Sequence, residues 1–405
     1  MASTAPSHIK VGVGKSGSPA LNEIMDFPSP RLNIEKLQNY KPNFGKSKIN
    51  NLIRLSANES ALGASLDAIK ALKIFSNDLN RYPPQVSDEL ISTISKRYSL
   101  NKKKIILGNG SDELISILAQ TFLNYNDEAI YTEFGFLQFP QAISIAGAIG
   151  VVADDINHTA SVDNILSKIS KKTKLIFLAN PNNPTGTFIS KNEVIRLHES
   201  IPKNILLVYD AAYSEFVVND DYIDGSELAE KYENVIMLRT FSKLHGLASL
   251  RLGWGYASEN IIENLMKVRG PFSVNAAAIM AGVAALEDLE FQKKSVQHNL
   301  KWMSWLETEL KSLNLDFKSS ITNFLLIKFP IEHNYSAEKA ESFLASKGIL
   351  VRGMKVYGLS NYLRVSIGTE EENIKFVIFL SDNCILRFNN NFLQQPFEKL
   401  SLFLL

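Results

Sequence analysis

An α/β fold, with a mostly parallel central sheet covered by helices and a smaller α/β domain C-terminal to it, is what this 405-residue chain predicts. Three observations predict it. Between about Lys102 and Gly255, short β-branched and apolar runs alternate with helical stretches, the pattern of a parallel sheet buried on both faces. A long helical region then leads into a second, shorter alternation of the same kind. Hydrophobic residues make up 45% and charged residues 21%, ordinary values for a chain long enough to bury more than one core.

Taken in order, ordered structure is expected from about Pro28. Strands are expected over 104–107, 129–132, 174–179, 205–209 and 235–239, with helices over 112–122, 136–146, 163–169 and 193–198 between them. A helix over 289–313 precedes a strand at 324–329, a helix at 337–347, a strand at 362–367 and a helix at 370–380. The expected division is a flexible tail at 1–27, an arm at 28–60 and a large domain at 61–288. A small domain at 289–380 and an extension at 381–405 of unassigned role follow. In such sheets ligands sit beyond the carboxyl ends of the strands, so motif residues should follow strands.

Charge and composition exclude several classes. Forty-three basic and 42 acidic side chains give a net charge of +1, which argues against broad electrostatic binding to nucleic acid or an anionic membrane. No apolar run approaches the roughly 18 residues of a spanning helix. The first 25 residues are rich in Ser, Gly, Ala and Lys without a secretory apolar stretch. A plain flexible tail is expected there, with an organelle transit segment as the alternative, since no acid precedes Glu23. Cys384 is the single cysteine, so no internal disulfide or metal cluster is expected, and a reducing, cytoplasmic setting fits.

Four segments carry candidate chemistry. Gly108-Asn109-Gly110-Ser111-Asp112-Glu113 lies between a strand and a helix; its glycines allow a tight turn, and helix N–H groups can bind a phosphate. A capped turn without a ligand is the plainer reading of these residues alone. Asn180-Pro181-Asn182-Asn183-Pro184-Thr185-Gly186 fixes an irregular loop at a strand end, either to hold an Asn side chain rigidly or simply to turn the chain. Asp210, at the end of a buried strand, is costly there unless it meets a cation such as a protonated pyridine nitrogen. Tyr213 beside it could bond that ring's phenolic oxygen; the plainer reading is a capping Asp and a core-edge Tyr. Thr240-Phe241-Ser242-Lys243 follows another strand. A lysine there becomes a nucleophile if its amine is held partly deprotonated, and Ser242 and Arg251 suit a phosphate. A lone lysine is otherwise a solvated charge, and His245 reads as a packed residue before it reads as a base.

Together and in this order, these segments resemble the fold-type-I pyridoxal-phosphate (PLP) aminotransferases, most closely the histidinol-phosphate aminotransferases. The resemblance runs from about Pro28 to Leu380. It is supported by Leu55-Ser56-Ala57-Asn58-Glu59, Leu79-Asn80-Arg81-Tyr82-Pro83, Arg269-Gly270-Pro271-Phe272 and the stretch Tyr362-Leu363-Arg364-Val365-Ser366-Ile367-Gly368-Thr369. It implies a Schiff base on Lys243, with Asp210 on the pyridine nitrogen, Asn183 and Tyr213 on O3′, and Phe134 stacked on the ring. It also implies Ser111, Asp112, Ser242 and Arg251 around the phosphate, with Tyr82 reaching that phosphate across a homodimer interface. Arg364 and Arg352 would hold the substrate's anionic ends, beside Asn183, and Tyr40 would close over it. The implied reaction is ping-pong transfer of an amino group from histidinol phosphate to 2-oxoglutarate.

Departures from the family pattern are Ala211, where an acid often follows the aspartate, Ser60-Ala61 and Ser249. None removes a group that performs chemistry. An aromatic-amino-acid or dual-specificity aminotransferase, a PLP decarboxylase and a non-catalytic protein of the same fold are the competing readings. Retention of Lys243, Asp210, Asn183, Tyr213 and Arg251 together speaks against the last.

Overall fold

The structure, a computed structural model, describes residues 28–35, 37, 52–75, 80–331 and 336–384. Among the described residues of the first 37, one short helix forms, α1 (Leu32–Glu35). Tyr40 lies outside the described residues.

From residue 38 onward, a seven-stranded sheet dominates. Its strands are β2 (Ile105–Gly108), β3 (Glu128–Thr132), β4 (Ile149–Ala153), β5 (Thr173–Ala179), β6 (Leu206–Asp210), β7 (Val235–Thr240) and β8 (Gly253–Ala257). The spatial order is β2-β8-β7-β6-β5-β3-β4, with every described pairing parallel except those of β8, which runs against both its neighbours. Five of these strands are the expected ones, displaced by a residue at most. The two not expected are β4 and β8.

Alternation along the strands divides the core into two faces, as the two-residue period of a pleated strand requires. Ile176, Leu178, Leu207, Tyr209 and Met237 point to one face, and Leu175, Phe177, Leu206, Val208 and Ile236 to the other. The first face is covered by α2 (Leu66–Phe75), α3 (Asp88–Tyr98), α6 (Val162–Ser167), α7 (Lys191–Ser200), α8 (Ser226–Lys231) and α10 (Ala276–Glu287). The second is covered by α4 (Ser111–Phe122), α5 (Gln138–Ala146) and α9 (Glu259–Val268). Helices α2, α3, α8, α9 and α10 are not among the expected elements. Several helices start where a side chain accepts a first-turn N–H, as Ser87, Ser161, Ser190 and Asn275 do. Helix α4 starts differently: its N-cap is Gly110, and no side chain caps the turn.

The 24-residue helix α11 (Leu289–Ser312) leads to an antiparallel sheet of β9 (Phe317–Lys318), β10 (Phe324–Lys328), β12 (Arg352–Met354) and β13 (Leu359–Ser366), in the order β12-β13-β10-β9. Helices α12 (Ala337–Ser346) and α13 (Glu370–Cys384) pack with it around a second core that includes Leu325, Ile327, Leu344, Val365 and Phe376. The chain before the large sheet also joins this core. Strand β1 (Ile53–Arg54) pairs in parallel with β11 (Ile349–Leu350), and Leu55 is buried among the second core's residues. No described helix is long and apolar enough to cross a membrane.

Candidate active site

The carboxyl ends of β5, β6 and β7 deliver their following loops to one pocket of about 300 Å³. Ser111, Asp112, Asn183, Asp210, Tyr213, Ser242, Lys243 and Arg251 all line it, so eight of the expected residues converge. A roomier cavity of about 520 Å³ lies elsewhere, by Lys102, Ile105 and Arg269, and includes none of these groups.

At one end of the pocket is an anion cradle. The uncapped start of α4 faces Arg251, which donates to Asp112 (2.9 Å) and Ser242 (3.3 Å). Glycine is required at two places here. A Cβ on Gly110, whose φ is +80°, would lie 2.4 Å from Nη2 of Arg251. One on Gly253 would lie 2.3 Å from the Ser111 backbone nitrogen, so β8 can approach α4 only without a side chain. First-turn N–H groups, a hydroxyl and a guanidinium in one place suit a phosphate.

At the other end is Asp210, 5% exposed, with one carboxylate oxygen accepting from the Ala212 N–H (3.2 Å). Burial, and then the negative charge of Asp112, push its pKa up to about 7. A cation against this carboxylate would favour its charged form, and a protonated ring nitrogen fits that need. Between the two ends sits Lys243, its Nζ donating to the Ala57 carbonyl (3.3 Å) and lying 5.7 Å from the centre of the Tyr213 ring. Burial first, and the positive charge of Arg364 next, pull its pKa down to about 8. A lysine held this way has a neutral, nucleophilic amine in a substantial fraction near neutrality. Capture of an aldehyde cofactor by the apoprotein should therefore accelerate with rising pH and level off above about 8. Stopped-flow absorbance measures this; a rate still climbing tenfold per pH unit beyond about pH 9.5 would contradict the assignment.

The Asn-rich loop divides its labour. Asn180 donates to the Tyr209 hydroxyl (2.8 Å) and accepts from the Ile189 N–H (2.9 Å), and Asn182 donates to the Phe134 carbonyl (3.0 Å). Those two brace the loop, and Asn183 faces the pocket, where Arg364 donates to its Oδ1. Arg364 also donates to the Ser56 carbonyl (2.8 Å) and stands opposite Arg352 in the β12–β13 register. Like charges directly opposite in a strand pair cost stability, and an anionic ligand end would reverse that cost.

Phe136 is in the pocket wall, and Phe134, in the same turn after β3, stacks on His158 with ring centroids 5.3 Å apart. Tyr82 is 83% exposed, stacks on Phe272 (4.9 Å) and is not in its own chain's pocket. His245 is a packed residue: it is buried against Phe241 (4.9 Å), and burial lowers its pKa to about 4. The sequence assigns the segment 56–58 no role, yet Ser56 and Ala57 accept from Arg364 and Lys243, and Asn58 donates to the Tyr213 hydroxyl (2.8 Å). Two of those contacts use backbone carbonyls, which have no signature in a sequence.

A planar ring with a phosphate at one end and a basic nitrogen at the other fills this outline, and a lysine stands between to capture its aldehyde. That is the design of a PLP enzyme. A family model described as aminotransferase class I and II matches residues 50–378, and the chain belongs to this PLP-dependent family. It is 43% identical over 361 residues to a histidinol-phosphate aminotransferase of Paramagnetospirillum magneticum, covering 88% of this chain and 99% of that one. A Maricaulis maris protein of the same name is 43% identical over 353 residues, covering 87% and 98%. The fold is also that of a Sinorhizobium meliloti histidinol-phosphate aminotransferase solved with pyridoxal 5'-phosphate (TM-score 0.81, 23% identity, 87% and 97% covered).

Proposed function

We propose that this aminotransferase moves the amino group of histidinol phosphate to 2-oxoglutarate, by a ping-pong sequence through Lys243. The observation that carries the reading is the opposed pair Arg352 and Arg364 beside a lysine pocket, together with relatives of that name at 41–43% identity over most of the chain. Histidinol phosphate presents a phosphate and 2-oxoglutarate two carboxylates, and two guanidinium groups serve either anion.

Bound PLP supplies the electron sink for the charge left when the substrate's Cα loses its proton. The chain's residues do the rest. Asp210 holds the ring nitrogen protonated, the ion pair drawing its own pKa back down from about 7. Lys243 would anchor the cofactor and, with its amine free, would hold and move the proton at the substrate's Cα. Asn183 and Tyr213 bond the phenolic oxygen, and Ser111, Asp112, Ser242 and Arg251 hold the phosphate. Phe134 would stack on the ring, with Phe136 in the pocket wall. Tyr82, too exposed to serve its own pocket, reaches the phosphate of a second copy, which makes the working unit a homodimer. Tyr40 closes over the substrate. With Cys384 as its single cysteine, the enzyme works in the reducing cytoplasm.

Half-reactions test the substrate. The PLP form is mixed with histidinol phosphate, phenylalanine, tyrosine or glutamate, and conversion to pyridoxamine phosphate is followed by absorbance. Histidinol phosphate and glutamate should convert. Failure of histidinol phosphate with turnover of phenylalanine or tyrosine would reassign the enzyme to aromatic amino acids. Arg364→Ala should lower kcat/KM by about 10- to 150-fold, the loss of one or two charged hydrogen bonds, with the cofactor still bound. Loss of the cofactor's absorbance in that variant would overturn the role given to Arg364.

A further inference from the structure

Asn58 is buried, 1% exposed, in the left-handed region at φ 55°. It is tied on every side. Its backbone N–H donates to Ser366 Oγ (2.9 Å), and Asn323 donates to its carbonyl (3.1 Å). Ser366 Oγ, having accepted that N–H, directs its own proton to Asn58 Oδ1 (3.3 Å). This fixes which way the side-chain amide points: the oxygen faces Ser366, and Nδ2 donates to the Tyr213 hydroxyl at 2.8 Å. A hydroxyl has one proton. With Asn58 occupying a lone pair of that oxygen, the proton of Tyr213 is left to be donated into the pocket.

We infer that Asn58 is a positioning residue: it sets the direction of the Tyr213 hydroxyl proton, so that Tyr213 donates to the phenolic oxygen of the bound cofactor. This rests on Tyr213 and Lys243 contacting the cofactor as proposed above. The anchor lies outside the large sheet. Ser366 ends β13, and Asn323 immediately precedes β10, so the smaller sheet orients a donor on the larger one.

The consequence is electronic. A donor on the phenolic oxygen draws charge from it and weakens its hold on the proton shared with the neighbouring Lys243 nitrogen. Tyr213→Phe therefore raises the pH midpoint of the absorbance change of the Lys243-linked cofactor. Asn58→Asp keeps the size and tolerates the positive φ, but presents an acceptor in place of the donor. The Tyr213 proton then turns to the new carboxylate and leaves the cofactor.

The experiment is a spectrophotometric pH titration of the holoenzyme for the wild type, Asn58→Asp, Asn58→Gly, Tyr213→Phe and the Asn58→Asp/Tyr213→Phe double variant. Asn58→Asp should raise the midpoint by about one pH unit, as expected for loss of one charged hydrogen bond. In the Tyr213→Phe background the same substitution should give less than half that shift, which separates redirection of the proton from the charge of the added carboxylate. Asn58→Gly, which accepts the backbone conformation without strain, should raise the midpoint by a smaller amount and guards against misfolding of the Asp variant. If Tyr213→Phe moves the midpoint but neither Asn58 variant does, or if both lower only the melting temperature, Asn58 is a structural residue and the inference fails alone. If Tyr213→Phe moves nothing, the cofactor role of Tyr213 fails and takes the inference with it.

Discussion

Lys243→Ala should lower kcat/KM for histidinol phosphate by at least about 10⁴-fold, the upper end of what a positioned proton carrier contributes. Two losses combine: the amine that captures the cofactor, and the base that moves the proton. No neighbour can substitute. Tyr213 is buried and pushed up to about 12, and His245 is packed away against Phe241. Bound cofactor in the variant should show the absorbance of a free aldehyde, with circular dichroism unchanged. Retention of more than about 1% of wild-type activity would sink the assignment of Lys243 as the proton carrier.

The largest expected effect on stability lies beneath the pocket. Arg239, 4% exposed at the end of β7, pairs with Glu215 (3.3 Å) and Asp224 and lies over the Tyr98 ring at 4.7 Å. Burial works against its charge, but the Glu215 and Asp224 carboxylates more than reverse this and raise its pKa. Glu215 is itself lifted by burial. Arg239→Ala strands that carboxylate in the core, and breaking a buried pair from one side costs about 3–5 kcal/mol. Denaturant titration should show a loss of that size. Adding Glu215→Gln should recover part of it, because the cost is mainly the orphaned charge. A single-variant loss below about 1 kcal/mol would show that water reaches the cluster.

The same strand shows how unevenly a sequence reveals structure. Runs such as those in β5, β6 and β7 are buried on both faces and read as unbroken apolar stretches, so their positions are legible. Strand β4 is an edge strand with mostly exposed positions, and β8, Gly-Trp-Gly-Tyr-Ala, carries two glycines that lower strand propensity. Helix α10 is apolar nearly all round and gives little helical period. At the site, residues that follow legible strands were located from order alone. The Phe134–His158 stack, between residues 24 apart in the chain, was not legible in that way. Nor could Asn58 be joined to Tyr213 across 155 residues of chain, or to Ser366 across 308.

The reversed direction of β8 has a consequence for how the site can vary. Because β8 opposes β7, its amino end lies at the edge where β7 leaves off, so the chain departs and returns within residues 241–252. Lys243 and Arg251 thus share one short excursion, closed where the Phe241 N–H donates to the Leu252 carbonyl (2.9 Å) and braced within by the Leu247 N–H donating to the Phe241 carbonyl (3.0 Å). Covalent anchorage and phosphate grip are set by a single span of chain. Lengthening it by one residue would put both out of register at once, whereas the loop that brings in Asn183 after β5 can drift separately. Any route by which this scaffold acquires new substrates should leave that span unchanged and remodel the β12–β13 ribbon instead.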